Sequence, residues 1–567
     1  MKKNNNKSQN FKRTSNFEKK PVNTVNEGEK VVVFKGSKSV QELAKDLNVK
    51  CYIATVNNRL RELTYYINYD CEVDFFDLNN SEAVRVYQST LRYVIAMALN
   101  KIDEKAQLVF SDYVSRSFLG VISNLNCPFN NSFLNKLVNE IDNIIKADLP
   151  IKRHKLDKEE VLEIYKSEGY VDKYNVLQYR EADEVNYYSC DGYINYMYDY
   201  MLPSTGYLNK FIIKMHYPGF IVQYPRAEFN GEIPPFQDDI SFSKMIKDAR
   251  DWRILCGVDN IASMNKFIDD KDIVRFINMC ETKHNNMLAE LGLKIKENIE
   301  NIRLIAVAGP SSSGKTTFTN RLKIELMTRG IDPVMISMDD YYLDREKTPL
   351  DKNGKPDFES IYALDIELFN QQLLDLIQGE KVQLPYFDFK IGKRVPGKFV
   401  QLKPNQPIMI EGIHALNEMV TSLIPKNQKF KIFISPNPQL NIDDHNPIRS
   451  TDLRLLRRIV RDARSRKTSP SKTFSMWSSV RDGEFKWIYP WQKEADYVFN
   501  SELTYEIMVM KKYAMPALLS IGPNDEFFIQ GNRFIKFLKY VRDIDDKYVP
   551  CNSILREFIG ESCFYEE

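Results

Sequence analysis

The sequence predicts a multidomain α/β protein whose second half contains a parallel sheet flanked by helices. The apolar stretch Ile302–Ala308 has the composition of a buried strand and runs directly into the glycine- and serine-rich loop Gly309–Thr317. A helical pattern over Phe318–Arg329 follows that loop. Two further apolar stretches, Val334–Met338 and Pro407–Glu411, carry acidic residues at their carboxyl ends. Strand, glycine loop, helix and acid-ended strands together predict a ligand-binding edge on this sheet.

The loop has the sequence Gly-Pro-Ser-Ser-Ser-Gly-Lys-Thr-Thr, which fits the phosphate-binding pattern G-x-x-x-x-G-K-[ST]. Its glycines allow tight folding, so that successive N–H groups point at phosphate oxygens, and the following helix N-terminus adds partial positive charge. Lys315 is expected to reach the β- and γ-phosphates of ATP, and the Thr316 hydroxyl to bind Mg²⁺. The predicted ATP-binding residues are Gly309, Ser311, Ser312, Ser313, Gly314, Lys315, Thr316 and Thr317.

Several acidic and aromatic residues follow the predicted strands. Asp339 can accept a proton from a substrate hydroxyl that attacks the γ-phosphate, although a helix cap is the plainer alternative. Glu411 stands where a carboxylate holds Mg²⁺ directly or through water, or simply ends a strand. Glu359 is a candidate for hydrogen bonds to ribose hydroxyls. Phe387 and Phe389 are candidates for stacking on a base, or else they belong to the core.

Arginines cluster on a predicted helix between Thr451 and Arg466, and the first four recur at i, i+3, i+4 and i+7. Such a face, bordering a phosphate site, suits a lid that neutralises a transferring phosphate. A solvated basic face is the alternative interpretation. The arginines are Arg454, Arg457, Arg458, Arg461, Arg464 and Arg466.

The composition is that expected of an ordinary soluble protein. The chain has 567 residues with 43% hydrophobic and 28% charged residues, and its net charge of +2 predicts no strong attraction to nucleic acid or membrane. No apolar run reaches the roughly 18 residues of a membrane span, and the lysine-rich start has no apolar core of a secretory signal. The eight cysteines form no C-x-x-C pair, which favours reduced, buried thiols in the cytoplasm. Five histidines argue against a multi-histidine metal site.

The first half combines short strands and helices. Residues 1–29 are polar and are expected to be disordered. Beyond them, the hydrophobic patterns predict a small α+β unit, then a mixed region, then linking helices. The predicted strands are Val31–Phe34, Ile53–Val56, Cys71–Phe76, Tyr207–Met215 and Gly219–Tyr224, and the predicted helices are Val40–Leu47, Ser81–Lys101, Asn131–Ala147, Lys158–Ser167, Lys271–Ile299 and Asn532–Asp543.

The second half resembles the uridine kinase / phosphoribulokinase family of P-loop kinases over about residues 300–515. The resemblance rests on the order and spacing of several motifs rather than on the phosphate loop alone. Besides that loop they are Asp-Asp-Tyr-Tyr at 339–342, Phe-Glu at 358–359, Leu-Pro-x-Phe-Asp-Phe at 384–389, Ile-Glu-Gly-Ile at 410–413 and Leu-Arg-Arg-Ile-Val-Arg-Asp at 456–462.

This resemblance implies an ATP- and Mg²⁺-dependent nucleoside kinase with Asp339 as base for the 5′-hydroxyl and Glu359 on the ribose. It implies that Glu411 helps to hold Mg²⁺ and that Arg458 and Arg461 bind phosphates. The predicted catalytic residues are thus Asp339, Lys315, Arg458 and Arg461; the predicted substrate-binding residues are Asp339, Tyr342, Glu359, Phe387, Phe389, Arg454 and Arg458; and the predicted metal ligands are Thr316 and Glu411.

The first half resembles part of threonyl-tRNA synthetase. Residues 30–78 are similar to the TGS domain, a ubiquitin-like β-grasp module, and the following region is similar to the second additional domain of those synthetases. The chain lacks the His-x-x-x-His and Cys-x-x-x-His ligands of that domain's editing site, so the resemblance implies neither hydrolysis nor zinc there. The predicted division is 1–29 (tail), 30–78 (TGS-like), 79–270 (synthetase-like), 271–299 (linking helices), 300–520 (P-loop kinase) and 521–567 (C-terminal extension).

Three functions stay open at this point. The first is a nucleoside kinase, and the second is a kinase for another small alcohol, such as a sugar or a pantothenate-like compound. The second is motivated by Gly392, which stands near the position where uridine kinases carry a base-reading histidine. The third is a nucleotide-regulated protein whose N-terminal half contacts RNA or the ribosome. The sequence also leaves open the preferred nucleoside, ATP against GTP, and assembly into a homo-oligomer.

Overall fold

The computed structural model of the protein describes residues 31–237, 240–351, 354–437 and 440–564. The tail 1–29, for which disorder is expected, lies outside the described residues. Among the described helices, none combines the length and the apolar character that crossing a bilayer requires.

The first unit is a small sheet with one helix against it. Strand order is β1-β6-β3-β4, and all three pairings are antiparallel. The turn Asn57–Asn58 joins β3 to β4 with both residues at positive φ, as tight hairpins require. Helix α1 begins at a capping box, in which Ser39 and Glu42 each accept a backbone hydrogen bond from the other. The elements are β1 (Val31–Phe34), β2 (Lys38–Ser39), α1 (Val40–Asp46), β3 (Ile53–Val56), β4 (Arg59–Arg61), β5 (Tyr66–Ile67) and β6 (Cys71–Phe76).

The second unit is built around one long helix, most of which is buried. Two antiparallel sheets, with strand orders β12-β13-β8-β7 and β11-β10-β9, accompany it. The elements are α2 (Ser81–Ile102), β7 (Gln107–Val114), β8 (Ser117–Ser123), α3 (Asn131–Lys146), β9 (Lys152–Asp157), α4 (Lys158–Ser167), α5 (Val171–Gln178), β10 (Glu184–Cys190), β11 (Tyr193–Asn195), β12 (Ile212–His216) and β13 (Gly219–Gln223).

Three helices lead to the third unit, whose sheet is entirely parallel with strand order β15-β18-β14-β19-β22. Helices flank this sheet, which gives a P-loop kinase fold. The elements are α6 (Ile240–Cys256), α7 (Ile261–Asp269), α8 (Ile273–Glu297), β14 (Leu304–Ala308), α9 (Lys315–Thr328), β15 (Val334–Ser337), α10 (Ile366–Ile377), β16 (Val382–Asp388), β17 (Lys393–Val400), β18 (Ile408–Glu411), β19 (Lys429–Ser435), β20 (Asn441–Asp443), β21 (Asn446–Pro447), α11 (Ser450–Ser465), α12 (Pro470–Gly483), β22 (Tyr497–Asn500), α13 (Glu506–Leu519), α14 (Phe528–Leu538) and α15 (Arg556–Ile559).

Two predicted elements differ from the structure. The strand predicted over Tyr207–Met215 begins only at Ile212, because Thr205–Tyr207 forms a short 3₁₀ turn that packs against α3. The helix predicted over Asn532–Asp543 ends at Leu538, after which the backbone turns so that Tyr540 enters the core. In both cases tertiary packing decides the boundary, which local pattern alone does not fix.

Parts of the second and third units share one apolar cluster. A single cluster joins Val161 of the second unit, Phe276 of the linking helices, Phe318 beside the phosphate loop and Leu555 of the C-terminal segment. The first unit has a cluster of its own, and its Tyr52 and Ile53 join the cluster of the second unit. The described chain therefore consists of a small N-terminal body attached to a larger one whose parts bury each other.

Candidate active site

The phosphate loop connects β14, the central strand of the parallel sheet, to α9. Gly314 has φ of 87°, a left-handed conformation that favours glycine, and α9 begins directly after it at Lys315. A Cβ at Gly309 would lie 2.1 Å from the Ile434 carbonyl oxygen, so this position also requires glycine. The hydroxyls of Ser312 and Ser313 are buried and have no hydrogen-bond partner within the described residues. Buried hydroxyls without a partner, in a loop whose glycines let the backbone turn tightly, are suited to hydrogen-bond the oxygens of a phosphate.

Strand register brings two acidic residues to the same edge of the sheet. In β18, Glu411 pairs with Val307 of β14 on one side and with Ser337 of β15 on the other. The Ser337 hydroxyl donates to the Glu411 carboxylate at 3.4 Å. Asp339 follows β15 in a 3₁₀ turn, within electrostatic reach of Glu411. The predicted metal ligand and the predicted base therefore lie beside the phosphate loop, as the sequence indicates for parallel strands.

The two carboxylates influence each other's protonation. Burial, reinforced by Asp339, raises the pKa of Glu411 to about 7, whereas Lys315 acts in the opposite direction. Removal from bulk water within the cleft raises the pKa of Asp339, and Lys315, Arg466 and Arg461 oppose that rise. A pair of carboxylates and one ammonium thus face a common space, where a divalent cation would relieve their repulsion.

Glu359 lies within electrostatic reach of the same Lys315. Burial raises its pKa to about 7; Glu484 adds to the rise, and Arg458 and Lys315 oppose it. A Cβ at Gly483 would lie 2.4 Å from the Glu359 Cβ, so the end of α12 packs directly on this residue. Because Arg458 and Lys315 both act on it, the Glu359 carboxylate lies near the phosphate loop, and its contact with a substrate hydroxyl stays a prediction.

The predicted base-stacking aromatics have unequal surroundings. Phe387 is only 4% exposed and packs edge-on against Tyr342, with ring centroids 5.9 Å apart. Phe389 is 56% exposed and lies 4.9 Å from the Phe387 ring. The Tyr342 hydroxyl donates to the Phe358 carbonyl oxygen at 3.2 Å. Of the two phenylalanines, Phe389 is therefore the one with a free surface, and its stacking on a base stays a prediction.

The arginines of α11 fall into two groups. Arg454, 1% exposed, forms an ion pair with Glu484 and donates to the Ser311 carbonyl at 3.0 Å. Arg457 is fully buried and forms an ion pair with Glu506 at 2.6 Å. These two guanidinium groups hold internal carboxylates, so α11 is anchored in the core rather than being a solvated basic face.

Arg458 and Arg461 have partners other than Glu484 and Glu506. The Arg458 guanidinium donates to the Ser311 hydroxyl at 2.9 Å, and Arg461 contacts Asp462 at 2.9 Å. Arg461 is also among the cations that act on Asp339. Phosphate binding by Arg454, Arg458 and Arg461 stays a prediction, and the geometry favours the last two.

Sequence reasoning missed one residue at this site, Glu557 in α15. Its carboxylate accepts a hydrogen bond of 3.0 Å from the Thr317 N–H, a backbone donor in the first turn of α9 that has no acceptor within the helix. It also acts on Glu411, whose pKa it helps to raise. A Cβ at Gly314 would lie 2.4 Å from Ile554, so the same segment covers the loop. Since 240 residues separate Thr317 and Glu557, no local pattern could indicate this contact.

The donor set fits magnesium. Mg²⁺ takes one or two carboxylates together with water and substrate phosphates, which suits Thr316 and Glu411 beside an unsatisfied phosphate loop. Within the described parts of the chain, no group of three or more His, Cys, Asp or Glu side chains has the arrangement of a self-sufficient metal site. His414, which follows Glu411 closely, is buried. Burial lowers its pKa to about 3, so its imidazole is neutral.

Comparison with known proteins places this edge of the sheet in a class of kinases. Residues 304–507 match the model of the Phosphoribulokinase / Uridine kinase family. Uridine kinase from Staphylococcus aureus (strain JH9) is 29% identical over 213 residues, which is 37% of this chain and 94% of the relative. The second half of the chain is thus similar to this family over residues 304–507, and residues before 304 lie outside the match.

Two solved structures are similar to parts of the chain. A possible uridine kinase from Bacillus stearothermophilus has 22% identity and a TM-score of 0.25, and the match covers 35% of this chain and 89% of that one. D-glycerate 3-kinase from Cryptococcus neoformans has 16% identity and a TM-score of 0.20, covering 48% and 86%.

Proposed function

We propose that the protein is an ATP-dependent kinase that transfers the γ-phosphate to the 5′-hydroxyl of a nucleoside. The observation that carries the proposal is the convergence of Lys315, Asp339 and Glu411 at the mouth of a phosphate loop in a domain that matches the uridine kinase family. Glu359, within electrostatic reach of Lys315, supports a polyhydroxylated acceptor such as ribose.

Asp339 is the base in this proposal. Its carboxylate takes the proton of the acceptor hydroxyl as the hydroxyl oxygen forms a bond to the γ-phosphorus, while the bond from the γ-phosphorus to the bridging oxygen of ADP breaks. Desolvation raises the pKa of Asp339 above its ordinary value, which is the direction that strengthens a carboxylate as a base. Lys315, Arg458 and Arg461 stabilise the charge spread over the transferring oxygens.

Thr316 and Glu411 would hold Mg²⁺. When bound, the cation neutralises charge on the β- and γ-phosphate oxygens and orients them. For its part, Glu411 must be ionised to serve as ligand, and the Ser337 hydroxyl that donates to it favours that state.

The test is Asp339→Asn in a phosphoryl-transfer assay with Mg·ATP and a panel of five nucleosides: uridine, cytidine, adenosine, guanosine and inosine. We expect kcat to fall about 10²–10⁴-fold with ATP binding retained, because the variant keeps the shape but cannot take the proton. Asp340→Asn is the matched control, since Asp340 accepts a hydrogen bond from the Phe387 N–H at 3.2 Å, which an amide oxygen preserves. Full turnover in Asp339→Asn would rule out Asp339 as the general base. ATP hydrolysis without any nucleotide product would rule out a nucleoside as the acceptor.

A second candidate, a kinase for another small alcohol, is favoured by the surroundings of Gly392. This residue has φ of 67°, and a Cβ there would lie 2.5 Å from the Arg345 side chain. Arg345 also donates to the Phe389 carbonyl at 2.7 Å, so it covers the place where a histidine would be needed. An arginine beside the acceptor side suits an alcohol that carries negative charge. Activity on a phosphorylated or carboxylated alcohol, with none on the nucleoside panel, would favour this candidate.

For the N-terminal half of the chain we propose a fold rather than an activity. The sheet β1-β6-β3-β4 with α1 across it supports a β-grasp, TGS-like unit at 30–78 followed by a synthetase-like unit at 79–270. A reducing, cytoplasmic location is supported by the cysteines, all eight of which are free thiols. Four of them are buried as expected, whereas Cys127, Cys551 and Cys563 are exposed and Cys256 is partly so.

A further inference from the structure

A cavity of about 470 Å³ lies where the first unit, the second unit and the C-terminal segment meet. Its walls come from β4, the first turns of α2, the loop after α5 and one face of α14. Its volume falls within the roughly 300–1,000 Å³ typical of small-molecule sites. No residue of the candidate active site lines it. The cavity is therefore a separate feature of the molecule, and the proposed function makes no use of it.

The lining carries an excess of positive charge. Two of its arginines are neutralised: Arg85 pairs with Asp452 at 2.8 Å, and Arg533 pairs with Glu82 at 2.8 Å. Only Glu181 and Asp199 remain as further lining carboxylates. Against them stand five cations that form no ion pair within the described residues: Arg59, Arg61, Arg180, Lys536 and Lys539.

Two of these cations have the features of anion ligands that lack their anion. The Arg61 Nε is buried without a hydrogen-bond partner in the described part of the chain. Lys536 donates to the Tyr198 carbonyl oxygen and lies 4.6 Å from the Tyr198 ring centroid. Burial lowers the pKa of Lys536 to about 8; Asp199 opposes that change, whereas Arg180 reinforces it. An anion in the cavity would supply a hydrogen-bond acceptor for Arg61 and a negative charge that stabilises protonated Lys536.

The same walls offer aromatic surface. Tyr200 and Phe528 line the cavity, and Arg153 stacks over the Tyr200 ring with its guanidinium carbon 5.1 Å from the centroid. Arg180 lies over the ring of Tyr540, a buried residue outside the lining, at 5.5 Å. Cations that bind phosphate, next to planar rings that accept a base, are the complementary groups for a nucleotide.

We propose that this cavity binds a phosphorylated nucleotide as a second ligand, apart from the phosphate loop, with Arg180, Lys536 and Lys539 on its phosphates. Because its walls belong to β4, α2 and α14, a bound nucleotide would bridge the first unit to the C-terminal segment.

The test is the rate of Lys536 acetylation by a water-soluble acetyl ester at pH 8, followed by mass spectrometry of the full-length chain. The reaction is run alone and with saturating ATP, UTP, uridine or pyrophosphate. A lysine whose pKa is about 8 reacts readily at this pH. We expect ATP or UTP to slow its acetylation at least fivefold, with uridine and pyrophosphate, each half of the ligand, giving less protection. The exposed Lys547 is the internal control and should not change.

Three variants complete the design. Lys315→Ala, which weakens the phosphate loop, should keep the protection; its loss there would show an indirect effect of the loop and overturn the proposal. Arg180→Gln should abolish protection, with Lys539→Gln, an exposed position that cannot disturb the core, weakening it as a second check. Lys547→Gln is the matched control and should behave as the wild type. Absence of protection by both nucleotides in the wild type also overturns the proposal.

Discussion

Glu411 lies in a site whose negative charges are only partly compensated. Its pKa is raised above the ordinary value by burial and by Asp339, so the folded state holds a proton that the unfolded state has released. The stability associated with that proton is present at low pH and is lost as the pH rises towards 7. At pH 8 the ionised group therefore opposes folding.

Glu411→Gln should accordingly increase the free energy of unfolding at pH 8, by on the order of 2 kcal/mol, and change it little at pH 5. Urea unfolding of the metal-free protein at both pH values measures this. Glu418→Gln is a control of opposite sign, because Lys429 and Lys431 hold its pKa below the ordinary value. That variant should lose stability at pH 8. An equal effect of Glu411→Gln at both pH values would show that charge is not the cause.

At the residue scale, the sequence predicts the candidate site best where its residues are neighbours in the chain. Lys315, Thr316 and the loop glycines are contiguous, and backbone requirements fix their types. Asp339 and Glu411 could be placed because parallel strands end at one edge. Glu557 could not, since its role depends on a contact between distant parts of the chain.

Helix α11 illustrates what periodicity leaves open. Spacing correctly groups Arg454, Arg457, Arg458 and Arg461, yet it does not show that Glu484 and Glu506 receive two of them in the core. Buried carboxylates from α13 and from the turn after α12 decide which guanidinium groups are structural. The same helix therefore carries anchoring and site-facing arginines within two turns.

Substitutions should separate these two kinds of arginine. Arg457→Ala leaves Glu506 buried and unpaired, so we expect a loss of about 3–5 kcal/mol in the free energy of unfolding. Arg458→Ala should lower kcat at least tenfold with a much smaller change in thermal stability, because Arg458 borders the cleft. Denaturant unfolding and steady-state kinetics on both variants measure the difference. Similar stability losses in both would contradict the division.

The N-terminus of α9 gives the second prediction at this scale. Glu557 occupies a backbone N–H in the row of donors that phosphates use, so it competes with a nucleotide for the start of this helix. We expect Glu557→Gln to tighten ATP binding about three- to tenfold, measured by calorimetry, while unfolding becomes easier by ~1 kcal/mol because a charged cap is lost. Glu561→Gln, an exposed neighbour paired with Arg556, is the control. Weaker ATP binding in Glu557→Gln would instead make Glu557 part of the metal site.

The whole molecule is less divisible than its sequence motifs indicate. The shared apolar cluster runs from the second unit through the kinase sheet to α15, whereas the first unit has its own core. The first unit is tied on through Tyr52 and Ile53, which join the apolar cluster of the second unit, and through hydrogen bonds from the Asn58 amide to the carbonyls of Pro523 and Asp525 at 3.0 and 2.7 Å. Sequence motifs mark the residues of a candidate site, and domain boundaries drawn from them reflect that site. The extent of the apolar core depends on tertiary packing, which the sequence pattern alone does not specify.

A fragment limited to residues 300–520 should therefore be insoluble or melt well below the full chain, because it exposes the cluster's surface to water. A chain that begins at residue 79 should retain the main calorimetric transition. Differential scanning calorimetry of the three proteins tests this. A soluble 300–520 fragment with the full chain's melting temperature would show that the shared core contributes little.

The contact between Thr317 and Glu557 also has a consequence for biosynthesis. With 240 residues between them, and translation at roughly 5–20 residues per second, the phosphate loop emerges from the ribosome about 10–50 seconds before its carboxylate partner. During that interval the first turn of α9 has its backbone donors open. Cellular nucleotides thus reach the nascent loop before Glu557 does, and the order of synthesis gives the ligand the first opportunity to organise the sheet.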